Sequence, residues 1–443
     1  MRAQNNGEGR RRFERRGSPV FILPDACGAI DLSSASRTLE SLRFLSQSHR
    51  AMGFLEFLAA GAAPEAVAAD DFPADAVRWS DPHTWGGHLP ARGEAVTVDI
   101  GRTLIVDQDL DVGSLHIKGT VIVERRDISI GAEWILVENA GALIAGTAEQ
   151  PFTQRLHITL CSSARAQSAS AHPQLGSKFL AAINGGTIDL HGEARTSWVP
   201  LGSSTVPGHN TLRLSQPVDW RAGERIAIAS GADHCLLEER TIDDVGTDCL
   251  TIRLAAPVWH RHHGKHAPMR HVLPGSIGKV VLLSRNIVIE GCADSERNSV
   301  GAYCLIAGSA DKLQHHSSGR FSGVEFRRMG QFNRPGRYPL HWHDNGDAAD
   351  SSVVGCLIHQ SYQRGIVTVG SRHVRISGNV VMKPYGHGYI VESEDNSPQL
   401  VTTNLALRPR VVRFADQKMR SYCEHRPRAF WIVQSAAART AVH

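Results

Sequence analysis

The run Gly-Arg-Tyr-Pro-Leu-His-Trp-His at positions 336–343 sets two imidazoles and a guanidinium close together in a stretch with extended character. In a strand, residues i and i+2 point the same way, so His341 and His343 share one face and Trp342 takes the other. Imidazole is both a common metal ligand and a proton carrier near neutral pH. Downstream lie Asp347, His359, Arg364, His387 and Glu392. Three chemistries suit this set. The histidine pair with His387 and Glu392 has the ligand types of a divalent-metal site, and such an ion is one open cofactor reading. Two carboxylates could instead hydrolyse a glycosidic bond while arginines hold uronate groups. Alternatively, a histidine could abstract the proton beside a carboxylate that arginine neutralises. The bland reading is that these groups line a corner of the fold and bond one another, and for any single one of the 23 histidines that reading is preferred. The clustering favours function. The catalytic candidates are His341, His343, Asp347, Arg364, His387 and Glu392, with Arg337 and His359 as substrate contacts.

These residues need a scaffold that stacks short segments. Gly355-Cys-Leu-Ile-His followed by Arg364-Gly-Ile-Val aligns with Gly378-Asn-Val-Val-Met followed by His387-Gly-Tyr-Ile, each at an offset of 23 residues, and Asn404-Leu-Ala-Leu opens a further copy. Short strands repeating at about two dozen residues without helix are the pattern of a solenoid with one turn per repeat. Neighbouring rungs would bring Arg364 and His387 beside the 336–343 strand. Asn379 and Asn404 fall where side-chain amide ladders cap rung corners. Upstream, Val96-Thr-Val-Asp-Ile, Thr103-Leu-Ile-Val, Ser114-Leu-His-Ile, Thr120-Val-Ile-Val, Ile128-Ser-Ile, Trp134-Ile-Leu-Val and Ala142-Leu-Ile-Ala are β-branched runs separated by Gly, Asp or Asn. They read as strands, with no helical period competing. On pattern alone that half is equally compatible with a sandwich or barrel.

The composition is that of an ordinary globular chain: 42% apolar, 21% charged, with 41 glycines and only 6% aromatics. A net charge of +4 is too mild to point to nucleic acid, but it suits an acidic partner if clustered. No apolar run reaches the length of a membrane span. The eight cysteines form no C-x-x-C pair; Cys161 and Cys356 sit in apolar runs and read as buried thiols, while Cys235–Cys249 would pair only in an exported protein. Residues 1–75 differ from the rest and are expected to be largely disordered or linker, with a charged stretch at 10–16. Phe54–Ala69 reads as a short helix, or as an export signal if translation begins at Met52.

Trp79-Ser-Asp-Pro-His-Thr-Trp-Gly-Gly, followed by Gly93, Gly101, Gly113, Gly119, Gly131, Gly141 and Gly146, resembles the eight-glycine (G8) domain. Gly186-Thr-Ile-Asp-Leu-His-Gly, Pro217-Val-Asp-Trp-Arg-Ala-Gly-Glu, Leu283-Ser-Arg-Asn-Ile-Val-Ile, Met329-Gly-Gln and the 336–343 run resemble the family of the cell-migration-inducing hyaluronan-binding protein and its cell-surface relative. The resemblance spans residues 79 to 407, with a fragment at Ala429-Phe-Trp-Ile. It implies an all-β fold in which a β-rich G8 domain (79–200) precedes a right-handed parallel β-helix (201–407), followed by an irregular, shortened tail (408–443). It also implies an extracellular or cell-envelope protein that binds, and in animal members cleaves, hyaluronan. Leu305-Ile-Ala-Gly and Ser393 depart from the family pattern. Within the G8 segment, Asp81, His83, Asp99, Arg102, Asp107, Asp109 and Asp111 mostly read as turn formers. Asp107 and Arg102 are retained as substrate contacts, and Asp107-x-Asp-x-Asp as an open calcium reading. Asp189 with His191 is a weaker candidate, and Trp85, Trp134 and Trp198 read as core before sugar platforms. The resulting expectation is a polysaccharide hydrolase or lyase acting on an acidic polysaccharide. The rivals are a non-catalytic glycan-binding or adhesin module and an inactive truncated relative. Oligomeric state stays open.

Overall fold

A computed structural model describes residues 72–162, 171–230, 236–266, 277–308, 316–393, 400–408, 410 and 432–435. The expected disorder of the N-terminal segment, the Phe54–Ala69 alternatives, the Cys235–Cys249 pairing and most of the 408–443 tail lie outside the described residues.

Each β-branched run named above forms a strand, and strands one turn apart pair in parallel. Among the described residues they build three sheets of nine, eight and nine strands, which the chain visits in rotation. This is a parallel β-helix, and connections between parallel strands of one sheet are right-handed. Alternation within each strand turns one set of side chains inward, where they stack by type. One column reads Val98, Ile117, Val137, Ala182, Ile306, Trp342, Thr368, Val391, each in register with the next. Every member is essentially buried, so this column is an aliphatic stack interrupted by one indole, Trp342, and one hydroxyl, Thr368.

The boundary expected at 200/201 does not separate a front domain from the helix. Thr187–His191 of the G8 segment pairs directly with Ser318–Ser322, and Phe179–Ala182 with Tyr303–Ala307. The G8 strands are therefore the first rungs of the same solenoid. The segment that leaves the helix lies inside 201–407. From Trp198 to Leu282 the chain forms a six-stranded sheet whose pairings are antiparallel. It has its own core around Leu201, Leu214, Trp220, Ile228, Ile252 and Val280. Its other face packs Ala227, Ala229, Val281 and Leu283 onto Leu357, Val380, Met382 and Leu407 of the eight-stranded sheet. A two-residue alternation reads the same in a hairpin as in a rung. That is why the pattern alone did not reveal the excursion.

The 23-residue repeat is seen in the ladder: Ser352 pairs with Arg375, Leu357 with Val380 and Ile366 with Tyr389. Asn379 and Asn404 occupy the expected corner. The Asn379 side chain accepts from Cys356 N–H at 2.9 Å and donates to Val353 O at 2.8 Å and to Asn404 Oδ1 at 2.9 Å.

Candidate functional site at the His341 face

The site lies on the nine-stranded sheet containing Tyr303–Ala307, Leu340–Asp347, Ile366–Arg372 and Tyr389–Ser393. Trp342 points into the core, and His341 and His343 point outward together, with ring centroids 5.1 Å apart. Arg364 and His387 immediately precede glycines at the corner where the chain enters this sheet, and Gly365 N–H donates to His387 O at 3.0 Å. A side chain at Gly365 would strike the Gly388 carbonyl at 2.3 Å, so the rungs close tightly beneath these two residues.

Tyr338 organises the cluster. Its hydroxyl accepts from Arg364 Nη1 at 3.2 Å, its ring lies 5.7 Å from that guanidinium, and its edge meets His341 at 4.9 Å between centroids. Arg337 is held by Gln331 Oε1 at 2.7 Å and stands 5.5 Å from the Tyr303 ring. Gln331 also accepts from Arg334 at 3.1 Å. Tyr338 and Gln331 were not among the sequence candidates, although both stand inside the motifs that carried the resemblance. Spacing gave no signal for either contact, because Tyr338 is 26 residues from Arg364 and Gln331 is six from Arg337.

The imidazoles are almost entirely covered, with His341 and His387 each 4% exposed. His341 Nδ1 donates to the Gly336 carbonyl at 2.9 Å, which leaves Nε2 as a lone-pair acceptor. That atom is buried and has no hydrogen-bond partner, and the same holds for His387 Nδ1. Burial, with repulsion from His343 and Arg364 added, pushes the His341 pKa down to about 3. Burial and Arg364 push His387 down to about 4. Both rings are neutral at physiological pH beside a permanent cation. Glu392 stands in the column of His343 with Val369 between them, so these two are separated by two rungs, or about 10 Å.

The remaining candidates fall elsewhere. Asp347 ends its strand at the far corner, where its carboxylate takes a hydrogen bond from His373 Nδ1 at 2.7 Å. His359 is on the eight-stranded sheet, with Nε2 2.8 Å from Glu325 Oε1, and is buried. Its position in the repeat was read correctly, but the turn before Arg364 carries the chain from that sheet to the next. Arg102 and Asp107 belong to the first turn, five rungs or roughly 24 Å from the His341 strand. There Arg102 donates to Thr84 O at 2.6 Å, and Asp107 accepts from Ser80 and Arg78. Asp109 caps Ser129 N–H and Asp111 pairs with Arg92, so the aspartates of this run diverge to separate partners. Asp189 is held by His191 and Arg320. Trp85 packs on Trp79 and Trp134 on Phe179, while Trp198 bonds Thr403 O. Among the described residues no three His, Cys, Asp or Glu side chains converge as a metal site would require.

Comparison with known proteins now places this architecture. Residues 84–202 match the G8 domain model and residues 306–440 match the CEMIP beta-helix model. The chain thus holds a G8 domain match followed by a CEMIP β-helix match. It is 30% identical to human Fibrocystin-L over 395 residues, which cover 80% of this chain and 9% of the relative. It is 25% identical to Protein rliB of Dictyostelium discoideum over 347 residues, covering 75% of this chain and 29% of that one. The chain thus spans under a third of the length of either curated relative. Among solved structures it is similar to two phage tailspikes. The Gp54 tailspike of Acinetobacter baumannii bacteriophage AP22, in complex with capsular saccharide, is 12% identical over 64% of this chain and 43% of that one, with a TM-score of 0.19. Gp49 from Pseudomonas phage LKA1 is 12% identical over 67% and 43%, with a TM-score of 0.20. The His341 strand, Arg364, His387 and Glu392 all fall within the CEMIP beta-helix match.

Proposed function

We propose that this chain is the carbohydrate-binding part of an extracellular protein and that its ligand is an acidic polysaccharide of the hyaluronan kind. The observation that carries the reading is the Arg364 cluster: a buried guanidinium flanked by two neutral imidazoles with unpartnered ring nitrogens, and Arg337 close by. A planar guanidinium presented beside two imidazoles suits a uronate carboxylate. The match of residues 306–440 to the CEMIP beta-helix model supports a glycan of that class.

Of the two cleavage chemistries, proton abstraction fits the residues better than paired-carboxylate hydrolysis. In that step a histidine takes the proton on the carbon beside the uronate carboxylate, the glycosidic C–O bond breaks, and the departing oxygen is protonated. His341 Nε2 is the base candidate. A carboxylate bound at Arg364 would relieve the repulsion from that guanidinium, the smallest of the causes that lower the ring's basicity. Burial, the largest, would have to be relieved as well. Hydrolysis would require two carboxylates facing one bond. Asp347 is engaged by His373 at the far corner of the strand, and Glu392 stands two rungs from His343, so the two carboxylates do not face one bond.

The test is to incubate the chain with size-defined hyaluronan and other uronate polymers, with and without chelator. Bound ligand and chain length are then followed, together with the unsaturated uronate that elimination leaves. Shortening with that product supports a lyase, and shortening without it points to hydrolysis. Binding with no shortening overturns the enzyme reading and leaves a glycan-binding module, which the covered state of His341 and His387 favours. Failure to bind any uronate polymer overturns both.

A further inference from the structure

Strands Leu156–Leu160 and Ile287–Gly291 pair in parallel with Leu160 opposite Gly291, so the next positions on the two rungs are Cys161 and Cys292. The Cys292 N–H donates to Leu160 O at 3.3 Å, which holds the two backbones together just where the cysteines begin. Both thiols are free. Cys161, expected to be buried from its apolar run, is exposed because the strand ends at Leu160. Cys292 is half-buried, and the two lie within hydrogen-bonding reach of each other. Neighbouring rungs are spaced by about 4.8 Å, inside the span of about 4.4–6.8 Å between Cα atoms that a disulfide bridges without moving backbone.

The surroundings favour reaction. Lys178 is buried to 4% exposure, and its ammonium, which donates to Val300 O at 3.0 Å, sits beside Cys292. The hydrogen bond from Cys161 and the Lys178 charge bring the Cys292 thiol down to about 6, against burial and the charge of Asp294, while Cys161 is pushed up. One sulfur is therefore poised as thiolate and its neighbour as the proton-bearing partner, the division of labour that thiol–disulfide exchange uses. Cys304 and Cys356, by contrast, are fully buried with raised thiols.

We propose that Cys161 and Cys292 form a dithiol modification site that a small-molecule disulfide oxidant converts into a covalent bond between two neighbouring rungs. The Cys292 thiolate attacks one sulfur of glutathione disulfide, whose S–S bond breaks and releases one glutathione thiolate, which takes up a proton. Cys161 then loses its proton and attacks the Cys292 sulfur, forming the Cys161–Cys292 bond and expelling the second glutathione. Two protein thiols are oxidised and one glutathione disulfide is reduced to two thiols. The bond joins the last strand of the eight-stranded sheet before the antiparallel excursion (198–282) to the first strand of that sheet after it. Oxidation thus closes a loop of more than a hundred residues that holds Phe179–Ala182, Thr187–His191 and the excursion, and cross-links that close long loops restrict the unfolded chain most.

The whole chain is equilibrated in buffers of graded reduced and oxidised glutathione, thiols are then blocked at low pH, and tryptic peptides are weighed. Peptides 156–165 and 286–297 are expected to appear joined, two hydrogens lighter than their sum, increasingly with oxidant. The unfolding temperature should rise by several degrees in step, and dithiothreitol should reverse both changes. In Cys161→Ser, Cys292 should stop at the glutathione adduct with no rise in unfolding temperature. Peptides that stay separately blocked or separately glutathionylated at the most oxidising ratio overturn the proposal. So does a joined pair that forms without any change in unfolding temperature, because the cross-link would then not restrict that loop.

Discussion

The imidazole of His341 illustrates how far one residue's position decides its behaviour. Its alternation with Trp342 was readable from spacing, because two residues apart on a strand means the same face whatever the sheet. Its burial and its tautomer were not, since both come from Tyr338 and the Gly336 carbonyl, which the turn at 334–338 brings back over the strand. His359 shows the converse: a histidine in the repeat whose side chain is spent on Glu325 because its strand belongs to another sheet. Burial of His341 carries a pH signature. The unfolded ring has its ordinary pKa near 6.5 and the folded ring about 3, so between those values the unfolded chain binds a proton that the folded chain refuses. Stability from this group is complete above about pH 6.5 and falls as the pH drops toward 3; His387 acts alike down to about 4. Urea unfolding from pH 7 to 4.5 should show stability falling by up to about 1.4 kcal/mol per pH unit for each such proton. His341→Gln, which keeps a hydrogen-bonding side chain but cannot titrate, should flatten that slope. An unchanged slope would assign the acid sensitivity to other groups. At the same face, Arg364→Lys keeps the charge but loses the planar fork and the Tyr338 contact. It is expected to weaken binding of uronate polymer at least tenfold while circular dichroism stays unchanged.

At the scale of the element, the late rungs were legible because three of their ladders keep one interval of 23 residues. The early rungs hid the same architecture. Leu104 pairs with Val121, Val121 with Leu143 and Leu143 with Ile188, separations of 17, 22 and 45 residues. A solenoid turn swells or shrinks in its loops without disturbing the ladder, and no fixed period survives that freedom. The corner asparagines offer the clearest quantitative test. Asn379 is fully buried and makes three side-chain hydrogen bonds, two of them to backbone groups of the preceding rung. Asn379→Ala strands the Cys356 N–H and the Val353 carbonyl in the core. It should cost about 2–4 kcal/mol in chemical unfolding. Asn404→Ala, one rung on and partly exposed, should cost less, about 1 kcal/mol. If the two losses are equal, the corner acts by local turn propensity and not as a ladder.

For the molecule as a whole, the deciding feature is the antiparallel excursion. A sequence reading that treated 201–407 as uninterrupted helix had the rungs right on both sides and missed what separates them. The long alternating strand Leu237–Val245 and the tight turn in which Asp248 caps Leu250 and Thr251 are ordinary hairpin signals that a solenoid expectation overrode. The excursion has its own core and touches the helix through a second, smaller cluster. Val281 belongs to that second cluster and is fully buried, whereas its neighbour Val280 belongs to the first. An aspartate at Val281 would therefore place a carboxylate between the two bodies while sparing the core of each. The wild-type chain is expected to unfold in one transition, and Val281→Asp in two, with trypsin cutting first inside 198–282. Binding at the His341 face, on another sheet, should be retained by the folded helix. A single transition merely displaced to lower temperature would mean that the excursion has no stability of its own. In that case the β-helix and its hairpins form one cooperative unit, and a disturbance on the covered sheet would reach the His341 face through the shared core.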